Sequence, residues 1–224
     1  GERKMQCIKD TIKNINIVIG CNIGCSYCYA RMNNNRFHTI DDFNKPVFFE
    51  NKLKMLNNKR HTAYLLTGQS DLSGWNEEWK DKVFSKMKEN ENTQYIFLTK
   101  RPENINLKET PDNGWFGVTV TSSKEKTRID YLRNNIKAKH YHITFEPMFD
   151  DVGKLDLSNI SWIVIGTETG NRKGKISSKR EWVFNIYNQA KEKNIPVFMK
   201  EDLLGILNED EFVQEFPKEF GGIK

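Results

Sequence analysis

No stretch of the 224-residue chain is apolar over the roughly eighteen residues that a membrane helix needs, and no secretory leader opens it. A soluble, intracellular protein of the cytoplasm is therefore expected, with no membrane partner. Cysteine is scarce, at four residues, three of them within eight positions, and this excludes the disulfide framework of a small secreted domain. Linkers, internal repeats and low-complexity runs are also missing, which leaves a single domain over 1–224 with a core of about 15–200 and a closing segment at 201–224. Hydrophobic residues make up 37 % and aromatics 12 %, enough to exclude a disordered chain. Acidic excess is absent too. The formal net charge is +5, which permits an anionic partner such as nucleic acid or a nucleotide without requiring one, because a Lys- and Asn-rich composition also follows from an AT-rich genome. The basic groupings are modest: Lys52 and Lys54, Lys59 to His61, Arg172, Lys173 and Lys175, then Lys179 and Arg180.

What is present is concentrated in one stretch, Val18-Ile-Gly-Cys-Asn-Ile-Gly-Cys-Ser-Tyr-Cys-Tyr29. An apolar strand, Ile15 to Ile19, runs into Gly20 and then delivers Cys21, Cys25 and Cys28. Three thiolates at C-x3-C-x2-C spacing can hold three irons of a four-iron cluster, since short glycine-containing loops let the backbone wrap a compact metal object. The fourth iron is left for a small molecule. A structural zinc ion competes for the same residues, but it needs a fourth ligand that only Cys7 or one of the four histidines can supply.

The order of strand, glycine and C-x3-C-x-aromatic-C resembles the signature of radical S-adenosylmethionine (SAM) enzymes, with Tyr27 as the aromatic before the last cysteine. The resemblance implies that Cys21, Cys25 and Cys28 hold a [4Fe-4S] cluster and that SAM chelates the open iron. An external electron donor would then drive cleavage of SAM to a 5'-deoxyadenosyl radical, which takes a hydrogen atom from the substrate.

Apolar periodicity gives the rest of the chain an alternating character. Strands are expected at Thr62–Thr67, Gln94–Thr99, Trp115–Thr121, Tyr141–Glu146, Ser161–Gly166 and Ile195–Met199, in addition to Ile15–Ile19. Helices are expected from Tyr29, from Pro46, over Asn76–Asn90, after a Ser123 cap, after Ser178 and over Glu209–Phe216. The series predicts an α/β fold with a mostly parallel sheet, either doubly wound or curled into a partial barrel. Resemblance to the radical SAM enzymes favours the partial (β/α)6 TIM barrel.

Strand alternation then picks out inward residues. Tyr141, Ile143 and Phe145 form one apolar set, so His142, Thr144 and Glu146 form the other; Val118 and Val120 alternate in the same way with Gly117, Thr119 and Thr121. Polar side chains on an inward face are costly without partners or a ligand. Either a satisfied core network or a ligand cavity accounts for them, and two adjacent strands behaving alike favour the cavity, with His142 and Glu146 as catalytic candidates. Several strands finish in polar, glycine-containing turns. By resemblance, Thr67, Gly68, Gln69 and Ser70 stand where the family binds the methionine end of SAM, with one glycine in place of the usual two. Thr119 and Thr121 stand at its polar contacts to the ribose or carboxylate, and Gly166, Thr167 and Glu168 stand along the adenine; Glu146, at a strand end, is a further candidate to bind SAM. Lys100, Arg101 and Lys200 lie at strand ends as candidates for SAM or a charged substrate.

The pieces Phe97–Pro102, Gly114–Val120, Thr144–Pro147 and Trp162–Gly170 resemble short radical SAM proteins of phages and mobile elements, known mainly as a domain of unknown function. A related mobile type is encoded beside a second radical SAM protein, which makes such a protein a candidate partner. That group is distantly similar to spore photoproduct lyase, which acts on DNA, and so a nucleic-acid substrate is implied. The alternative from another class is a metal-stabilised, non-catalytic binding module or partner subunit.

Overall fold

The computed structural model describes residues 5–221. The chain begins with a short helix, α1 (Ile8–Thr11), and the strand β1 (Ile12–Asn14), followed by β2 (Val18–Ile19), α2 (Tyr29–Phe37) and β3 (Val47–Phe48). Then come β4 (Ala63–Leu65), α3 (Glu77–Lys88), β5 (Gln94–Thr99), β6 (Gly114–Thr119), α4 (Thr127–Asn135) and β7 (His140–Phe145). The chain closes with β8 (Ile160–Ile165), α5 (Arg180–Glu192) and β9 (Val197–Met199). Seven strands form one parallel sheet in the order β1-β4-β5-β6-β7-β8-β9, curled into a half-barrel. The order follows the chain without reversing, so the doubly wound alternative is excluded. Seven strands are one more than the partial barrel of six had implied. Among the described residues, no helix is long and apolar enough to cross a membrane.

Parallel strands covered on both faces have to be apolar nearly throughout, and the two faces divide as the alternation required. On the convex face, Phe97, Phe116, Val118, Ile143, Phe145 and Ile163 pack against Val83, Phe84 and Met87 of α3, Ile129 and Leu132 of α4, and Val183 and Ile186 of α5. Phe97 and Phe116 stack at 4.9 Å between centroids while Phe84 meets both edge-on, each such pair contributing about 0.5–1.5 kcal/mol beyond burial. On the concave face, Trp115, Trp162 and Phe198 gather with Phe216 and Phe220 of the C-terminal segment. The closing segment therefore plugs the base of the half-barrel.

Several boundaries differ from the sequence reading. Ile15–Ile19 is buried, but the sheet strand lies upstream at Ile12–Asn14, and Val18–Ile19 instead pairs antiparallel with Val47–Phe48. That same pairing turns the expected helix after Pro46 into a strand, leaving a 3-10 helix at Glu50–Asn57. Ser123 caps no helix, because its Oγ donates to Asp150 at 2.9 Å and α4 begins later. The helix expected at Glu209–Phe216 shrinks to a 3-10 turn at Glu209–Glu211, since Gln214 bridges to the backbone of Phe198 in β9. The helix at α3 stands as read, with the Asn76 side chain accepting from Trp79 N at 2.9 Å.

Candidate functional site

The β2–β3 ribbon carries the chain across the mouth of the half-barrel and presents the cysteine loop there. Gly20, at φ 116°, makes the turn, and any side chain on it would lie 2.8 Å from the Pro46 Cα. Backbone hydrogen bonds fasten the loop on both sides, from Gly20 N to Gln69 O at 2.9 Å and from Cys21 N to Phe43 O at 2.7 Å. Cys28 is the N-cap of α2, its Sγ accepting from Arg31 N at 3.4 Å. Arg31 also donates from its guanidinium to Cys21 O at 2.8 Å and lies over the Phe43 ring, which ties the first cysteine to the helix begun by the third. Cys21, Cys25 and Cys28 are free, half-buried thiols, and all three line one cavity of about 420 Å³. Among the described residues, no three His, Cys, Asp or Glu side chains are grouped so that one metal ion could bind them.

The same cavity brings together most of the residues picked out from the sequence. Tyr27, Thr67, Gly68, Gln69, Ser70, Thr119, His142, Glu146, Thr167 and Glu168 all line it, as do Thr144, Lys100 and Lys200. Most of these stand at or just beyond the carboxyl ends of successive strands, where open α/β sheets place their ligands. Three do not take part. Thr121 lies past the end of β6, where alternation no longer governs, and its N–H and hydroxyl both donate to Glu125, at 2.7 and 2.8 Å. Gly166 sits behind the cavity wall, where a side chain would press on Glu146 Cδ at 3.0 Å and Lys200 Cδ at 3.2 Å. Arg101 lines a neighbouring cleft instead.

The turn after β4 is firmly built. Tyr29 donates its hydroxyl to Gly68 O at 2.5 Å, and Trp75 donates its indole N–H to Ser70 Oγ at 3.0 Å. Asp71 locks the turn to the end of β5, accepting from Thr99 Oγ1 at 2.6 Å and from Lys100 N at 2.8 Å. Thr67 Oγ1 accepts from Leu98 N at 2.8 Å.

Across the cavity, Lys200 forms an ion pair with Glu146, and Asp202 stands 3.5 Å from the same ammonium. Burial alone would depress Lys200, but the two carboxylates outweigh it and hold the ammonium well above its ordinary range. Asp202 is pushed up to about 6 by burial and by Glu146, against the pull of Lys200. Glu168 lines the cavity with its carboxylate already engaged by Arg172, at 2.5 and 2.8 Å, which holds it below the usual carboxylate range. Burial, reinforced by Cys25, pushes the Tyr27 phenol far up; the ring meets Phe149 edge-on at 5.5 Å, with Lys100 Nζ above it at 5.8 Å.

His142 is 1 % exposed, and burial pushes its pKa down to about 4. Its Nε2 lies 3.0 Å from Phe97 O, and a carbonyl can only accept, so Nε2 carries the proton and Nδ1 is a bare acceptor. Nδ1 has no partner in the protein. A neutral, buried ring is thus packed beneath the cavity.

The sequence reading missed Tyr29, Asp71, Asp202 and Asn14, which lines the cavity from the end of β1. Tyr29 ended a motif already singled out and Asp71 directly follows the Thr67–Ser70 turn; their contacts to Gly68 and Thr99 are what they add. Asn14 and Asp202 carried no local signal. A protein-family model described as a protein of unknown function (DUF5131) matches residues 6–221, and the chain belongs to that family. Comparison with the curated proteins and with the solved structures gave no match.

Proposed function

We propose that the protein is a radical SAM enzyme of the partial-barrel type, with Cys21, Cys25 and Cys28 as the ligands of a [4Fe-4S] cluster. The observation that carries this reading is convergence: three motif cysteines, the Thr67–Ser70 turn, Thr119 and the Glu146–Lys200 pair open onto one cavity at the carboxyl edge of a curled parallel sheet. The donor set fits the group. All three thiols are free and half-buried on a loop fixed at both ends, and a polynuclear cluster gives each thiolate its own iron, so the ligands need not meet at one point. Held by Cys21, Cys25 and Cys28, such a cluster would pass one electron from an external donor to SAM, and so supply the radical chemistry.

The chain's own part is to bind, orient and shield. Lys200, kept charged by two carboxylates, offers N–H donors to an anionic group, and Glu146 beside it accepts from an ammonium or a hydroxyl. The Gly68 carbonyl, positioned by Tyr29, and the Thr119 hydroxyl give further polar contacts in the same cavity. Below them, Ile96, Leu98, Trp162 and Val164 supply an apolar lining that keeps water from the reacting carbon.

The test is anaerobic reconstitution followed by SAM and a reductant. About four irons and four sulfides per chain and release of 5'-deoxyadenosine are expected, and Cys25→Ala should lose nearly all of both. A Cys25→Ala protein that keeps a full cluster would overturn the assignment. So would a chain that takes up zinc without sulfide.

A further inference from the structure

We infer that the cleft beside the cavity binds the phosphates of a single-stranded nucleic acid, leading the strand to the proposed reaction site. The chemistry rests on the radical SAM reading; the binding does not. Lys100, Arg101, Lys124 and Arg128 line this cleft of about 550 Å³ together with Glu103 and Glu125. It shares Ile23 and Lys100 with the inner cavity, so the two adjoin at the cysteine loop.

The cleft's charges are not balanced. Glu125 accepts from Thr121 and pairs with Arg128 at 2.9 Å, while Arg128 donates to Thr119 O at 2.7 Å. Those two charges cancel and form a fixed floor. Lys100, Arg101 and Lys124 remain against Glu103, and Arg101 makes only a long contact of 3.4 Å to Asn22 Oδ1. Three cations on two separate segments, none of them in an ion pair among the described residues, suit several phosphates along a strand better than one phosphate held at a point. Tyr131, a residue 45 % exposed at the same cleft, gives a ring on which a base can stack.

Two of the basic residues that stood out in sequence are less available. Lys52 donates to Asn16 O at 3.1 Å and lies over the Phe49 ring, and Arg172 is bound to Glu168. Sequence proximity grouped those charges, whereas the fold assembles Lys100, Arg101 and Lys124 at the mouth of the site.

Fluorescence anisotropy of a labelled single-stranded oligonucleotide, titrated over a range of salt, tests the inference. Three phosphate contacts predict a slope of log K against log salt near about −2, falling by about 1.4 in the Arg101→Ala/Lys124→Ala protein. A Lys52→Ala/Lys173→Ala protein should keep the parent slope. A flat salt response, or binding unchanged in Arg101→Ala/Lys124→Ala, would overturn the proposal. Displacement by a nucleoside monophosphate as effective as by the strand at equal phosphate would overturn the strand as ligand. Deoxyadenosine release by the unsubstituted protein separates the two readings. Release without strand binding rejects only the cleft, and strand binding without release rejects only the radical chemistry.

Discussion

The two ends of the concave face are built from the same strands and have opposite characters. Along β6 the inward residues run Trp115, Gly117, Thr119, and along β7 they run His140, His142, Thr144 and then Glu146 just past the strand. At the base, Trp115 stacks on His140 at 4.2 Å and meets Phe220 edge-on at 4.7 Å; Trp162 meets Phe220 at 5.2 Å, and Phe198 lies 4.7 Å from Phe216. Trp115, Trp162, Phe198 and Phe220 are all buried there. At the carboxyl ends the residues are small or polar, and about 420 Å³ is left unfilled. A half-barrel lacks the strands that would close it, so it needs a plug at one end, and the C-terminal segment provides one. The lesson is a division of labour along each strand, with stability at the amino end and chemistry at the carboxyl end.

The largest expected effect breaks that comparison from the base. Phe220 is fully buried among Trp115, Trp162 and Phe216, so Phe220→Ala should cost about 3–5 kcal/mol. For a chain of this length that lowers Tm by about 10 °C. The remaining folded protein should still reconstitute its iron at the parent level, because the plug touches none of the three cysteines. Iron lost in proportion to something other than the folded fraction would show that the two ends are coupled.

This division also explains what could be read from the sequence. β5 to β8 were legible because their apolar runs alternate two faces and end in polar turns, so the inward set of β7 followed at once. The cysteine loop was legible because its chemistry is local. Ile15–Ile19 misled because burial and sheet pairing leave the same apolar trace, and only Val47–Phe48, almost thirty residues on, decides where Val18–Ile19 pairs. Thr121 misled for a related reason: alternation was carried past the last paired residue, and Glu125 claimed the side chain. The Glu146–Lys200–Asp202 cluster joins strand ends more than fifty residues apart, and no local pattern announces such a meeting.

A smaller effect, seen in acid, sharpens the boundary between the two ends, where His142 sits. Its pKa is about 4 in the fold against an ordinary 6.5, so the folded state binds the proton less well than the unfolded chain does. Stability from this group is therefore complete above about pH 6.5 and is lost as the pH falls towards 4, by about 3 kcal/mol. Asp202, raised to about 6, acts in the opposite sense over part of the same range. Comparison with His142→Asn, which keeps Asp202, isolates the histidine. Tm measured between pH 7 and 4 should fall more steeply for the parent than for the variant. Parallel curves would mean that His142 is protonated in the fold and that its Nδ1 is no bare acceptor.

The smallest effect tests whether the boundary is set by steric fit. A methyl on Gly117 would lie 2.4–2.5 Å from three ring atoms of His142, far inside contact distance. The ring cannot simply swing aside, since it is buried against Trp162 and tied to Phe97 O. Gly117→Ala should thus cost about 1–3 kcal/mol as an overpacked core does, despite the gain in strand propensity. That lowers Tm by a few degrees. If the clash is with His142 alone, the penalty should vanish in a His142→Ala background, where the methyl fills space the ring has left. The double-mutant cycle would then give a coupling of about 1–3 kcal/mol. Additive costs would place the strain in the β6 backbone instead, and the step from aromatic base to open cavity would owe nothing to the glycine beneath the histidine.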